Sequence, residues 1–208
     1  SKYPQEDPKV SVISNGYDPD DFKNIQIKKN KNFTIVYTGT MSEIYPMNTF
    51  MNAVEYLKEN DLNITIVGNI HESFVKLIQK KELQDMFKFT GRLSHQEALN
   101  HMFSADLLLL LIPETKNSNE ILTGKIFEYM ASGVPIICIG PLDGDAAYIL
   151  DQTGAGKTCD FKDVAGCTKL IQSYLFEQRE EKHISPLKMT EVFNRQNLTK
   201  SLFDIINK

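Results

Sequence analysis

Ala105-Asp106-Leu107-Leu108-Leu109-Leu110-Leu111-Ile112, then Thr123-Gly124-Lys125-Ile126-Phe127-Glu128-Tyr129-Met130-Ala131-Ser132-Gly133, then Pro135-Ile136-Ile137-Cys138-Ile139, is the stretch on which the fold turns. Between Asp106 and Ile112, every residue after the aspartate is apolar, with no polar residue at alternate positions. Such a run suits a strand buried on both faces of a parallel sheet. A polar loop, Glu114 to Asn119, leads to a helix from about Thr123 to Ser132, which Gly133 ends. Ile136 to Ile139 is a second apolar strand. A strand, a crossover helix and a second strand make one unit of a parallel sheet.

The same alternation runs outward in both directions. Upstream, Val10-Ser11-Val12-Ile13 reads as a first β-rich run, and Phe33 to Tyr37 as the first strong strand. Residues 46 to 60 follow as a helix, with Phe50, Ala53, Val54 and Leu57 on one face. Asn63 to Val67 is a strand, 71 to 80 a helix, and Phe87 to Thr90 a short strand. Ser94 with Glu97 three residues on is a capping box for a helix running to about Phe103. Downstream, Asp145 is placed to cap a helix from Ala146 to Asp151. A short strand near Lys157-Thr158 and two helices complete the chain. The fold class is therefore α/β: a doubly wound, Rossmann-like parallel sheet with helices on both faces. Residues 1–180 are expected to form this domain, with 181–208 a helical segment packing on it or extending from it. Ligands of such sheets bind outside the carboxyl ends of the strands, at the loops after Tyr37, Val67, Phe89, Ile112 and Ile139.

With 208 residues the chain can bury a sizeable core. Its formal net charge of −4 disfavours a nucleic-acid partner, which needs a basic face. The basic run Lys28-Lys29-Asn30-Lys31 reads as a solvated turn. Cys138, Cys159 and Cys167 show no C-x-x-C spacing, which suits a reducing, cytoplasmic compartment. The longest apolar run is far short of the roughly 20 residues that span a bilayer.

Within the deciding stretch, Glu120 and Glu128 are separated by seven residues. Lys125 and Glu128 are i, i+3 and share a helix face. The free N–H groups and dipole at the start of this helix, near Thr123-Gly124, favour an anion. An anion there and a carboxylate further along suit a nucleoside diphosphate, with Glu128 accepting from ribose hydroxyls. On spacing alone, an amphipathic helix with an exposed Lys125–Glu128 pair accounts for the same pattern.

The segment Glu120 to Pro135 resembles the E-x7-E region of the retaining, nucleotide-sugar-dependent glycosyltransferases of the GT-B fold, group 1. The string Thr123 to Pro135 is similar to the variant K-x-F-E-Y-x-A-x-G-x-P. Val12 to Asp18 resembles the family's V-I-x-N-G-x-D link, and Tyr37-Thr38-Gly39-Thr40 its first glycine turn. Phe89 to Ser94 with Ser104-Ala105-Asp106, and Gly154-Ala155-Gly156, agree in order as well. The resemblance covers roughly residues 10 to 180 and implies a C-terminal donor domain that binds a nucleoside-diphosphate sugar. It also implies an acceptor domain preceding Ser1, so that residues 1–208 alone are expected to transfer no sugar. Backbone N–H groups at Gly39, Thr40, Thr123 and Gly124, with Lys125, would stabilise the leaving diphosphate. Glu128 would hold the ribose, Glu120 would contact the sugar, and Arg92 and Leu93 would lie near the base. No metal or other cofactor is implied. The full-length enzyme would act in glycan or glycolipid synthesis, with peripheral contact at the inner membrane face. After Gly39 the residues Met41 to Asn48 include no Lys or Arg, which leaves Lys125 as the cation beside the phosphates.

Gly154-Ala155-Gly156-Lys157-Thr158 is not a P-loop: the motif needs a glycine at 151, which is Asp151, and the segment follows a helix. His71, His95, His101 and His183 show no metal-ligand spacing, and His95 and His101 read as surface residues. Asp143 and Asp145 read as a turn and a helix cap. Two other functions fit the same fold: a nucleotide-sugar epimerase half-domain, and a doubly wound nucleotide-binding domain with no turnover.

Overall fold

From Phe33 onward the apolar runs become strands, and the amphipathic stretches between them become crossover helices. The structure, a computed structural model, describes residues 10–28, 30–57, 61–179 and 190–207. The strands are β1 (Phe33–Thr38), β2 (Leu62–Val67), β3 (Phe87–Gly91), β4 (Leu107–Leu111), β5 (Ile136–Ile139) and β6 (Gly156–Cys159). The helices are α1 (Met47–Leu57), α2 (Glu72–Lys80), α3 (His95–Phe103), α4 (Lys125–Ser132), α5 (Asp145–Thr153), α6 (Val164–Arg179) and α7 (Arg195–Ile206). The sheet is parallel throughout, in the order β3-β2-β1-β4-β5-β6. Strand order therefore reverses between β1 and β4, where a doubly wound sheet opens its ligand crevice.

Burial explains why the leucine run is a strand. Leu107, Leu109 and Leu111 pack with Ile35, Tyr37, Ile137 and Ile139 against α1, α2 and α6. Leu108 and Leu110 pack with Val36, Ile136 and Cys138 against α3, α4 and α5. All five leucines are fully buried, each contributing about 1.5–3 kcal/mol by removal from water. Period-two alternation is present but invisible in the sequence, because both faces are apolar.

Local signals set the helix ends. Ser94 accepts from the Glu97 N–H while the Glu97 carboxylate accepts from the Ser94 N–H, completing the expected capping box. Gly133 ends α4 in the left-handed conformation, φ 75°. His71 caps α2, its Nδ1 accepting from the Ser73 N–H, so that helix begins at Glu72.

Three local expectations are corrected. Val10 to Ile13 form no strand, and Val12 is 85% exposed. β1 already has β2 and β4 on its two sides, so the run has no edge to join there. α4 begins at Lys125, with Gly124 as its cap, two residues later than expected. Asp145 is the first residue of α5 and not its cap: the Gly144 N–H donates to the Pro141 carbonyl, closing a turn that makes Gly144 the cap.

Residues 190–207 return to the domain. The Tyr17 N–H donates to the Phe193 carbonyl, the Arg195 N–H donates to the Tyr17 carbonyl, and the Phe193 ring lies 5.1 Å from that of Phe127 on α4. Lys29, residues 58–60 of the expected first helix, His183 and the expected boundary at 180/181 lie outside the described residues. No helix among the described residues is long and apolar enough to cross a membrane.

Candidate nucleotide site

The carboxyl ends of β1 and β2 pass into glycine turns that touch. Gly39 has φ 112° and Gly68 φ 128°. A Cβ on Gly68 would lie 2.4 Å from the Gly39 carbonyl oxygen, so the turns meet only because neither residue carries a side chain. The Gly39 N–H donates to the Val67 carbonyl at 2.8 Å, and the Gly68 N–H to the Gly91 carbonyl at 2.9 Å. These turns floor a cleft of about 580 Å³ walled by α3 and α4. Gly39, Thr40, Arg92, Leu93, Lys125 and Glu128 all line it.

Lys125 is fixed from β1. Its Nζ donates to the Thr38 carbonyl at 2.8 Å and to Tyr37 Oη at 3.0 Å, and lies 4.1 Å from the centre of the Tyr37 ring. Tyr37 Oη in turn donates to the Thr40 carbonyl at 3.1 Å, so one chain of bonds orders both the lysine and the glycine turn. A Cβ on Gly39 would come within 3.1 Å of Lys125 Nζ, which ties that glycine to the lysine as well. An ammonium has three protons, and the bonds to Thr38 and Tyr37 use two of them. Burial lowers the Lys125 pKa to about 8, against a raising influence of Glu128. The exposed Lys125–Glu128 pair that spacing allowed is not formed: the ammonium turns to β1.

Glu128 lies one turn along α4 and is half-buried. Burial raises its pKa, as does Asp21, while His95, Arg195 and Lys125 lower it. Among the described residues no hydrogen bond or ion pair engages its carboxylate. Beneath it on the same helix, Tyr129 is buried; its Oη accepts from the Thr38 N–H at 2.8 Å, and its pKa is pushed up to about 12 by burial. α4 is thus bolted to the end of β1 by a tyrosine and a lysine.

The other three expected residues lie outside this cleft lining. Gly124 is exposed and sits against Asn15, whose amide nitrogen a Cβ would approach to 3.3 Å. Thr123 is half-buried with an unpartnered hydroxyl. Glu120 is exposed at the end of the short 3-10 turn Ser118–Glu120. That turn is held by Ser118 Oγ, which engages the Pro113 and Thr115 carbonyls.

A model of the group 1 glycosyl transferases matches residues 18–186. The chain belongs to this family. As a group 1 glycosyltransferase chain it is 28% identical, over 129 residues, to a 2-deoxystreptamine N-acetyl-D-glucosaminyltransferase of Niallia circulans, covering 57% of this chain and 32% of that protein. Its fold is similar to sucrose-phosphate synthase from Thermosynechococcus elongatus, TM-score 0.73 at 15% identity, covering 95% of this chain and 52% of that one. A glycosyltransferase from Rickettsia africae has TM-score 0.73 at 18% identity, covering 94% and 56%. Anabaena HepE in complex with UDP has TM-score 0.64 at 16% identity, covering 95% and 57%. This group 1 chain spans about a third of the curated relative's length and about half that of the solved structures.

Two residues that line the cleft, and one that acts on Glu128 from outside its lining, carried no signal of their own in the sequence. His95, read as a surface residue, lines the cleft, with Nε2 3.4 Å from Asp21 Oδ2. Asn69 lines it beside Gly68. Arg195, first residue of α7, acts electrostatically on Glu128 from 67 positions away in sequence (195 − 128). The rule that ligands meet the carboxyl ends of strands does point to the loops of His95 and Asn69. Nothing local points to Arg195. Among the described residues no group of three His, Cys, Asp or Glu side chains is placed to hold a metal.

Proposed function

We propose that this chain is the donor-binding domain of a retaining glycosyltransferase that takes its sugar from a nucleoside diphosphate and passes it to an acceptor in glycan or glycolipid synthesis. The observation that carries the reading is the placement of Lys125 and Glu128 on one cleft at the carboxyl ends of β1 and β2. Lys125 and the Thr40 N–H meet the diphosphate as negative charge grows on it; the Gly39 N–H, expected to share this role, is taken by the Val67 carbonyl, so Gly39 contributes close approach instead. Glu128, unpaired and half-buried, accepts from the ribose hydroxyls. Arg92 and Leu93 flank the base. Thr123, Gly124 and the exposed Glu120 sit on the loop before α4, with Glu120 the contact to the sugar. An acceptor domain completes the cleft, in keeping with coverage of about half of the solved neighbours. The reading requires no metal, since cation and backbone dipoles carry the charge, and places the enzyme in the cytoplasm at the inner membrane face.

Glu128→Ala tests it. Loss of charge-assisted bonds to the ribose, worth about 1.5–3 kcal/mol, should weaken nucleotide binding roughly tenfold or more. The fold should hold, because Glu128 bonds to nothing that supports it. Calorimetry against UDP, GDP and ADP sugars measures the effect and the base preference together. A dissociation constant equal to the parent's for the preferred ligand would refute the ribose role.

Affinity should also depend on pH, in a direction set by Lys125. A bound diphosphate favours the ammonium and raises its pKa above the free value of about 8. Binding should be strongest and flat well below that value. It should weaken about tenfold per pH unit as pH rises above it, until the bound-state pKa is reached. A titration series showing constant diphosphate affinity from about pH 7 to about pH 9.5 would remove Lys125 from the phosphates.

A further inference from the structure

α3 runs out beside the start of β4. A hollow of about 470 Å³ opens there between α3, β3 and the residues Gln26, Lys28 and Asn30. Its wall is built by hydrogen bonds. Asn100 Oδ1 accepts from the Gln26 N–H at 2.9 Å, Ser104 Oγ accepts from the Lys28 N–H at 2.9 Å, and Asn30 Nδ2 donates to the Ser104 carbonyl. These three bonds tie Gln26, Lys28 and Asn30 to α3, and Lys28 lines the hollow together with Lys88 of β3. His101, on the last turn of α3, is half-buried between them.

The charges here are unbalanced. Among the described residues, neither Lys28 nor Lys88 has a carboxylate within ion-pair distance. The one carboxylate lining the hollow, Glu97, is committed to the capping box, accepting from the Ser94 N–H and, at 2.6 Å, from its hydroxyl. Burial and then Lys88 push the His101 imidazole below its ordinary pKa; Glu97 opposes this and Lys28 adds to it. Two lysines thus flank a half-buried imidazole in a water-accessible hollow, and an anion shared among them would favour the protonated ring.

We propose that this hollow is a second anion site, taking a phosphomonoester between Lys28, Lys88 and His101. It uses neither Lys125 nor Glu128, although Leu93 lines both this hollow and the nucleotide cleft. The lysines supply point charge and the imidazolium a directed N–H. The volume admits more than a bare phosphate, so the rest of the ligand can be a soluble metabolite or the glycerol end of a lipid.

Histidine side-chain NMR of the 208-residue chain, titrated with inorganic phosphate at constant ionic strength, tests the proposal. His101→Gln assigns the signal. Phosphate should raise the His101 pKa by about half a pH unit or more, because a bound anion favours the imidazolium. Lys28→Ala with Lys88→Ala should abolish the rise, and Lys125→Met, which alters only the nucleotide cleft, should leave it. No rise, an equal rise with chloride, or a rise that survives the double lysine variant overturns the site. Flotation with vesicles containing phosphatidic acid, against phosphatidylcholine alone, separates the sources. Flotation lost in the double lysine variant identifies a lipid headgroup; a phosphate response without flotation identifies a soluble phosphomonoester.

Discussion

Lys125→Ala is expected to weaken binding of a nucleoside diphosphate by about 10- to 150-fold while changing binding of the bare nucleoside little. The range is that of a charge-assisted hydrogen bond, about 1.5–3 kcal/mol. The structure gives reason for the upper part of it. The stretch after Gly39 has no basic residue, and the helix dipole supplies only about half a unit of positive charge. The ammonium is also held in place by Tyr37 and Thr38, so little conformational freedom is lost on binding. The substitution has two opposed effects on the fold itself. It removes a partly buried charge, and it leaves the Thr38 carbonyl and Tyr37 Oη without that donor. Comparing diphosphate with nucleoside cancels both. Lys125→Met, which keeps the stem, should show the same selectivity. Equal losses for the two ligands would show that Lys125 does not read phosphate.

Gly68→Ala should be the most damaging single-methyl change at the site. The new Cβ would face the Gly39 carbonyl oxygen at 2.4 Å, and φ 128° is a conformation that L-residues avoid. Backbone strain costs about 1–3 kcal/mol and overpacking about as much again. At roughly 2–4 °C per kcal/mol for a domain of this size, the melting temperature should fall by about 10 °C. Nucleotide affinity should fall too, because relief of the clash moves the Gly39 turn away from Lys125. Gly133→Ala is the contrast: its φ is also positive, but a Cβ there meets nothing within 4 Å. A melting temperature for Gly68→Ala within a degree or two of the parent's would mean that the glycine turns do not touch in solution.

What the sequence made legible follows the range of the interactions. The capping box at Ser94 and Glu97, the stop at Gly133 and the buried strand Leu107–Leu111 are short-range signals, and all three are borne out. The parallel, doubly wound sheet follows from their alternation. The placement of Lys125 was not legible. A reading along the helix offers Glu128 at i+3, whereas its partners are Tyr37 and Thr38, 88 and 87 positions away. Val10 to Ile13 misled in the opposite way: β-branched residues give strand propensity, but a strand needs a neighbour, and the central strand had none to spare. His95 was hidden by its own helix signal, because the residue after a cap looks like a solvated first turn. Lys28, Lys88 and His101 belong to three separate segments, and no spacing rule joins them.

The position of β4 carries a consequence for the life of the chain before it is folded. Five successive leucines, bracketed by Asp106 and by Pro113 one residue beyond Ile112, form the most apolar strand of the sheet. β1, made some 70 residues earlier, gives β4 one of its two edges, while β5 and the helices on both faces except α1, α2 and α3 are still to be synthesised. During synthesis, then, this segment emerges with a partner on one side and a bare edge on the other. Short, uncharged, leucine-rich strands without proline are the segments that pair between molecules and aggregate. The aspartate and the proline at its margins act as gatekeepers: one adds charge, the other denies a backbone donor. The residues that terminate the strand in the native sheet thus also limit self-association on the way to it.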